Sequence, residues 1–133
     1  MYTIKEACEL TELSYQTLKF YCNEGLVPNV KRNETNYRLF DDRDVEWIKC
    51  LIALRRCGMS IKEMQSYTKL CLLGKDEKSI YARKSMLYVK LEELKLKQQE
   101  ILESMNYIAE KQSFYDDVLE NKIKYVSNLI ELD

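Results

Sequence analysis

The residues of this sequence best suited to binding chemistry share one face of a short helix. Leu18 and Tyr21 define its inward face, and Tyr15, Gln16 and Lys19 point away from it. A Gln amide can pair bidentately with adenine, and a Lys ammonium can reach guanine or a phosphate. The pattern indicates a helix that meets base edges in a DNA groove. The alternative for the same pattern is a solvated polar face.

A short basic hairpin follows this helix. Gly25 stops the helix and Pro28 prevents its resumption. The chain then turns through residues 32–36. Four side chains on the two arms are suited to grip phosphates: Lys31, Arg32, Tyr37 and Arg38. Together the helix and the hairpin have the layout of a winged helix-turn-helix.

Composition favours a small, mainly helical intracellular protein. The 133 residues include only three Gly and one Pro, with 46% hydrophobic and 32% charged residues. The N-terminus carries charges where a signal peptide needs an apolar core, and no apolar run approaches the ~20 residues that span a bilayer. We therefore expect a cytoplasmic location without membrane contact. The five Cys are an odd number, and in that compartment we expect their thiols to be reduced.

Helix-capping residues mark the elements that position the polar face. Four short helices are predicted to begin at Thr3 with Glu6, at Ser14, at Asp41 or Asp42, and at Ser60 with Glu63. The third helix is apolar on several sides, which is typical of a buried hub. It ends at Cys57–Gly58, and residues 72–76 form a linker.

A heptad stripe dominates the second half of the chain. Its apolar members are separated by 7, 4, 3, 7, 4 and 3 residues, with Gln98 at a skipped position: Ile80, Leu87, Leu91, Leu94, Ile101, Met105 and Ile108. A helix over residues 80–112 would be roughly 50 Å long. Its single apolar stripe predicts dimerisation with a second copy, and we call this stripe, including Gln98, the dimer seam. Whether the tail continues this helix or folds back stays open.

These elements in this order resemble the MerR family of bacterial transcription regulators, over residues 2 to about 112. The resemblance is strongest in YTIKEACELTELSYQTLKFYCNEGLVP, NYRLFDDRDVEWI and LRRCGMSIKEM. It implies a mainly α fold, with a winged helix-turn-helix DNA-binding domain followed by a long antiparallel coiled-coil dimerisation helix. It also implies a homodimer that binds a pseudo-palindromic element in double-stranded DNA. Such a dimer distorts the promoter spacer for RNA polymerase and needs no cofactor.

The resemblance assigns backbone-gripping roles to five positions and reveals two departures. The matched positions are Tyr21, Lys31, Arg32, Tyr37 and Arg38, of which Tyr21 could instead lie partly in the core. Glu12 stands where the family usually has Gly, so a positive φ there would be mildly strained. Cys22 stands where an acidic residue is common.

Candidate sensor thiols follow from a resemblance to the aldehyde- and electrophile-responsive branch of the family. That branch often carries a cysteine at the position matched by Ala53, and this chain has Cys50 and Cys57 one turn to either side. Free cysteines are more commonly buried small hydrophobes. Metal-sensing branches would need a thiol near Ser79 and another beyond it, so we expect no metal site.

We therefore expect three segments and a regulator that has no catalytic role. The segments are a DNA-binding domain at 1–74, a linker and coiled-coil helix at 75–112, and a C-terminal helical tail at 113–133. The signal would be an electrophile or redox stress. One alternative is a coiled-coil protein-interaction adaptor without DNA binding. A thiol enzyme is the other, although it lacks His, the commonest base.

Overall fold

The computed structural model describes residues 1–132 and confirms a mainly helical chain with a small sheet. Its elements are β1 (Tyr2–Thr3), α1 (Ile4–Thr11), α2 (Tyr15–Asn23), β2 (Lys31–Arg32), β3 (Arg38–Phe40), α3 (Asp42–Arg56), α4 (Ile61–Cys71) and α5 (Glu77–Leu119). The chain divides into two compact units, residues 1–91 and residues 92 onward, and α5 contributes to both.

The helices of the first unit begin where the capping residues predict. The Thr3 hydroxyl accepts from the Glu6 amide at 3.2 Å while the Glu6 carboxylate accepts from the Thr3 amide at 3.0 Å. Reciprocal bonds of this kind also open α3 and α4. They satisfy amides that have no partner inside the helix. These bonds depend on residues three apart, which is why the sequence alone located them.

The wing is the β2–β3 hairpin, and a third strand extends it. In the antiparallel register Arg32 lies opposite Arg38, and β1 pairs with the other edge of β3. The hairpin was predicted, but β1 was not. Two residues give no period-2 pattern, so only the pairing with β3 identifies them as a strand.

One apolar core holds α2, the wing and the hub helix α3 together. The largest fully buried side chains come from α2, the loop after it, β3, α3, the turn after α3, and α4: Leu18, Leu26, Phe40, Ile48, Leu51, Met59 and Met64. The indole of Trp47 donates to the Leu26 carbonyl at 2.6 Å. The α3 helix is therefore the hub that its composition predicted.

The long helix extends beyond its predicted bounds at both ends. It runs from Glu77 to Leu119, over 43 residues. Asn121, at φ 59°, then reverses the chain, and the Lys122 amide donates to the Asp117 carbonyl at 2.9 Å. The predicted helical tail is right through Leu119 and wrong for residues 120–132, which form turns and bends. The last residue, 133, lies outside the described part.

Candidate nucleic-acid interface

The exposed face of α2 carries the three predicted base-contacting residues. Ser14 caps the helix by accepting from the Thr17 amide at 3.1 Å, and Leu18 anchors the inward side with no exposed surface. Tyr15, Gln16 and Lys19 are all exposed. The Lys19 ammonium lies 5.9 Å from the centre of the Tyr15 ring, so the two side chains form one cation–π pair. The polar face therefore presents an amide, an ammonium and a phenol together.

A direct hydrogen bond joins the wing to the end of α2. The Arg38 guanidinium donates to the side-chain oxygen of Asn23 at 2.6 Å. Since Asn23 is the last residue of α2 and Arg38 is the first residue of β3, this bond fixes the wing relative to α2. Asn23 is neutral, so Arg38 keeps a positive charge that no carboxylate cancels through this bond. Sequence reasoning missed Asn23, because its partner lies 15 residues away.

The tip of the wing is organised by a second asparagine that sequence reasoning missed. The Asn33 side-chain oxygen accepts from the Thr35 amide, the Thr35 hydroxyl and the Tyr37 amide at 2.9–3.0 Å. Arg32 donates to the Asn36 carbonyl at 2.8 Å. An Asn that bonds to backbone two residues on is a common turn signal, so the sequence did contain the clue. These bonds hold Arg32 and the exposed Tyr37 on the hairpin.

Lys31 differs from the other wing cations because it is already paired. Its ammonium lies 2.6 Å from Asp41 and 3.5 Å from the buried Asp44. The hydrogen bond from Lys31 is the main cause that lowers the pKa of Asp41 to about 2, and the same bond raises the pKa of Lys31. A phosphate would have to compete with two carboxylates for this ammonium. Arg32 and Arg38 are therefore the better placed cations of the wing.

Tyr21 lies mainly in the core. Only 5% of its surface is exposed, and its ring centre lies 6.4 Å from that of Phe20. The ring therefore packs between α2 and the hub, as the sequence had left open. A contact between Tyr21 and the sugar-phosphate backbone of DNA would be limited to the small part of the side chain that remains accessible.

Comparison with known proteins identifies the family of the chain. Residues 2–70 match the pattern of the MerR HTH family regulatory proteins. The chain belongs to the MerR family. It is 33% identical to an HTH-type transcriptional regulator of Haemophilus influenzae over 114 residues, covering 86% of this chain and 83% of that protein. It is also 36% identical to the regulator AdhR of Bacillus subtilis over 75 residues, covering 56% of this chain and 52% of AdhR.

Two solved structures share the fold over almost the whole chain. One is HiNmlR, a MerR family regulator lacking the sensor domain and bound to promoter DNA. It has a TM-score of 0.74 at 31% identity, over 90% of this chain and 93% of that one. The other is a MerR family regulator from Listeria monocytogenes, with a TM-score of 0.79 at 32% identity, over 92% and 91%. This chain is thus a MerR family transcriptional regulator.

The two departures from the MerR pattern have local consequences. Glu12 adopts the left-handed conformation, with φ 60° and ψ 22°, at the position where the family usually has Gly. Cys22 is half-buried, and burial raises the pKa of its thiol, an effect that the nearby Arg38 partly offsets. Glu12 therefore carries backbone strain, whereas Cys22 behaves mainly as a packing residue.

All five cysteines are free and half-buried. Burial raises the pKa of the Cys50 thiol, and the neighbouring Cys71 raises it further. Within residues 1–132, no group of three or more His, Cys, Asp or Glu side chains is arranged to hold a metal ion. No helix in that range is both long and apolar enough to cross a membrane.

Proposed function

We propose that this MerR-family regulator binds a pseudo-palindromic promoter element in double-stranded DNA as a homodimer. The observation that carries the proposal is the Arg38–Asn23 hydrogen bond, which couples a backbone-gripping cation to the helix that presents Gln16 and Lys19. We call residues 1–74 the head. Phosphate contacts would set the register of the head on the duplex, and the exposed face of α2 would then read bases. The similar protein HiNmlR is bound to promoter DNA, which supports the same role here.

The homodimer is supported by the uncovered apolar stripe of α5. Every residue from 91 to 110 is exposed, including apolar side chains of the predicted seam that leave 37–59% of their surface open: Leu91, Leu94, Ile101, Met105 and Ile108. Exposed apolar stripes of this length are rare on monomers and common in coiled coils. An antiparallel pairing would place the two ends of the seam opposite one another.

The proposed mechanism follows from a dimer in which two heads are joined through their α5 helices. A dimer whose spacing is set by α5 would hold two half-sites at a fixed separation, and a change in the angle between the heads would bend or untwist the spacer. The result would be a promoter that RNA polymerase uses differently. Following the sequence resemblance, we propose an electrophile or redox stress as the signal, with Cys50 and Cys57 as the first candidate thiols.

Fluorescence anisotropy with DNA from upstream of its own gene tests the DNA-binding proposal. Arg38→Ala should weaken binding to all sequences alike and reduce the salt slope by about 0.9, the value for one lost phosphate contact. Gln16→Ala should instead reduce discrimination at one base pair by about 1–3 kcal/mol. Lys124→Ala, which removes an exposed charge from the tail, is the matched control and should leave affinity unchanged.

The same titration separates the regulator from the adaptor hypothesis. An adaptor would show no salt-dependent affinity for DNA and would tolerate Arg38→Ala. Thermal melts of each variant exclude unfolding as the cause of any loss, because Arg38 also holds the wing to α2. A wild-type affinity that is independent of salt would contradict the proposed function.

A further inference from the structure

Two thiols from different helices lie near one cavity in the first unit: Cys71 lines it, and Cys50 is one helical turn from its lining residue Trp47. Cys50 lies in the middle of α3, and Cys71 is the last residue of α4. The cavity, of about 300 Å³, is lined by Cys71, by Thr68 one turn before it, and by Trp47 one turn before Cys50. The last turn of α4 therefore packs against the first half of α3, and Cys50 faces the same side as Trp47.

The electrostatics of three neighbouring groups agree with this placement. The pKa of the Cys50 thiol is raised by burial and then by the Cys71 thiol. Tyr67 packs against the core, and the pKa of its hydroxyl is raised by burial and then by the thiols of Cys71 and Cys50. These effects are consistent with the placement that the cavity gives, with Tyr67, Cys50 and Cys71 on the facing sides of α3 and α4.

We propose that Cys50 and Cys71 form a reversible disulfide that joins the middle of α3 to the end of α4. Formation requires the two sulfurs to come within bonding distance, and Cys71 can move toward Cys50 because the terminal turn of a helix frays. As a sensing device the bond rests on the proposed function, since it would act on DNA binding. As chemistry it depends only on the two thiols and an oxidant.

The reaction balances with a two-electron oxidant such as the azo compound diamide. The Cys71 thiolate, which borders the open cavity, adds to one azo nitrogen, and the other nitrogen takes up a proton. The Cys50 thiolate then attacks the Cys71 sulfur, the S–S bond forms and the S–N bond breaks. The reduced diamide is released as its hydrazine when the nitrogen that was bonded to sulfur takes up a second proton. Two thiols are oxidised and one azo group is reduced.

The position of Cys71 gives such a bond a route to the long helix. Two side chains of α5 bond to the chain on either side of Cys71. The Ser79 hydroxyl donates to the carbonyl of Leu70, just before Cys71, and the Arg83 guanidinium donates to the carbonyl of Gly74 in the linker that follows. Pulling Cys71 toward α3 would disturb these bonds. The disulfide would thereby change how α5 leaves the head.

The competing pair within the head is Cys8 and Cys22, which also interact electrostatically. Of the effects on the Cys22 thiol, however, that of Cys8 is the smallest, and burial dominates. Cys71, in contrast, lines the cavity between α3 and α4, which gives an oxidant a route to its thiol.

Peptide mapping tests the proposal and requires no DNA. Trypsin is suitable because it places the relevant thiols in different peptides. Cleavage after Lys and Arg places Cys50 in peptide 50–55, Cys57 in 57–62 and Cys71 in 70–75. The reduced full chain is treated with diamide, alkylated and digested without reductant. The main product should be peptide 50–55 linked to 70–75, and it should disappear with dithiothreitol. Cys57→Ser should retain this link, and Cys71→Ser should abolish it.

Other products would overturn the proposal. Links that mainly involve Cys57, a Cys8–Cys22 link, links only between chains, or full alkylation of every thiol would each contradict it. A parallel DNA titration keeps the two proposals apart. If the reduced protein binds no DNA, the proposed function fails while the disulfide stands. If the linked protein binds DNA as the reduced protein does, the disulfide has no sensing role.

Discussion

The ion pair between Glu63 and Lys90 connects α4 to the long helix, and its loss should be measurable. The Lys90 ammonium lies 2.8 Å from one Glu63 oxygen and 3.1 Å from the other. Only 10% of the Lys90 side chain is exposed, against 39% for Glu63. Glu63 also accepts from the Ser60 amide at 3.1 Å, as part of the α4 capping box. One carboxylate therefore serves both the cap and the pair.

Glu63→Gln isolates the ion pair, because the amide oxygen can still accept from Ser60. Exposed pairs contribute less than about 1 kcal/mol, whereas removing one partner of a buried pair costs about 3–5 kcal/mol. With one buried and one partly exposed partner, we expect a loss of about 1–2 kcal/mol in the free energy of unfolding. That corresponds to a fall of about 4–8 °C in Tm for a chain of this size.

The matched variant is Lys90→Met, which removes the buried charge and keeps the length of the side chain. It should cost less than about 1 kcal/mol, since the Glu63 carboxylate that remains is 39% exposed to water and still accepts from the Ser60 amide. The double variant should be about as stable as Lys90→Met alone. Urea unfolding at one fixed protein concentration supplies all four values, because oligomerisation would otherwise shift the apparent stability. Additive losses, or a Glu63→Gln variant as stable as wild type, would refute the reasoning.

The pH dependence supplies a second readout of the same pair. The hydrogen bond from Lys90 is the main cause that lowers the pKa of Glu63, followed by the bond from the Ser60 amide. A carboxyl with a lowered folded pKa stabilises the protein fully above its ordinary pKa and loses that contribution as pH falls through the folded value. The difference between wild type and Glu63→Gln should therefore shrink as the pH falls below about 5.

Two further predictions concern the strained turn and the seam. Glu12→Gly should raise stability by about 0.5 kcal/mol in thermal melts, because Gly accepts φ 60° without strain. Glu9→Gly, inside α1, should lower it by about 1 kcal/mol, and the same sign for both variants would contradict the argument. Leu94→Asp, on the seam, should convert a dimer to monomer in sedimentation experiments, whereas Leu96→Asp, exposed but off the seam, should not. A dimer that survives Leu94→Asp would exclude this seam.

Local signals made the head predictable from the sequence. The caps at Thr3 and Ser60 depend on residues three apart, and the stops at Gly25 and Gly58 depend on the positive φ that glycine accepts. The positive φ of Glu12 was an expectation from the family resemblance, because the family usually has Gly at that position. Such features need no knowledge of distant partners, and the structure has them where the sequence placed them.

Features that depend on distant partners were not predictable. The pairing of Lys31 with Asp41 and the bond from Arg38 to Asn23 join residues that meet only in the fold. The end of α5 at Leu119 was equally hidden, because neither Gly nor Pro marks it. For the candidate site, the sequence therefore identified which side chains are exposed on α2. It did not identify that Lys31 of the wing is already paired with Asp41 and Asp44.

The central claim is that this chain reads DNA as a symmetric pair, and one titration tests it most directly. Reduced full-length protein is added to labelled DNA from upstream of its own gene, at several salt concentrations, and the stoichiometry is read from the mass of the complex. The account predicts two chains on each duplex and an affinity that falls steeply as salt rises. No binding at low salt, or one chain on each duplex, would contradict it.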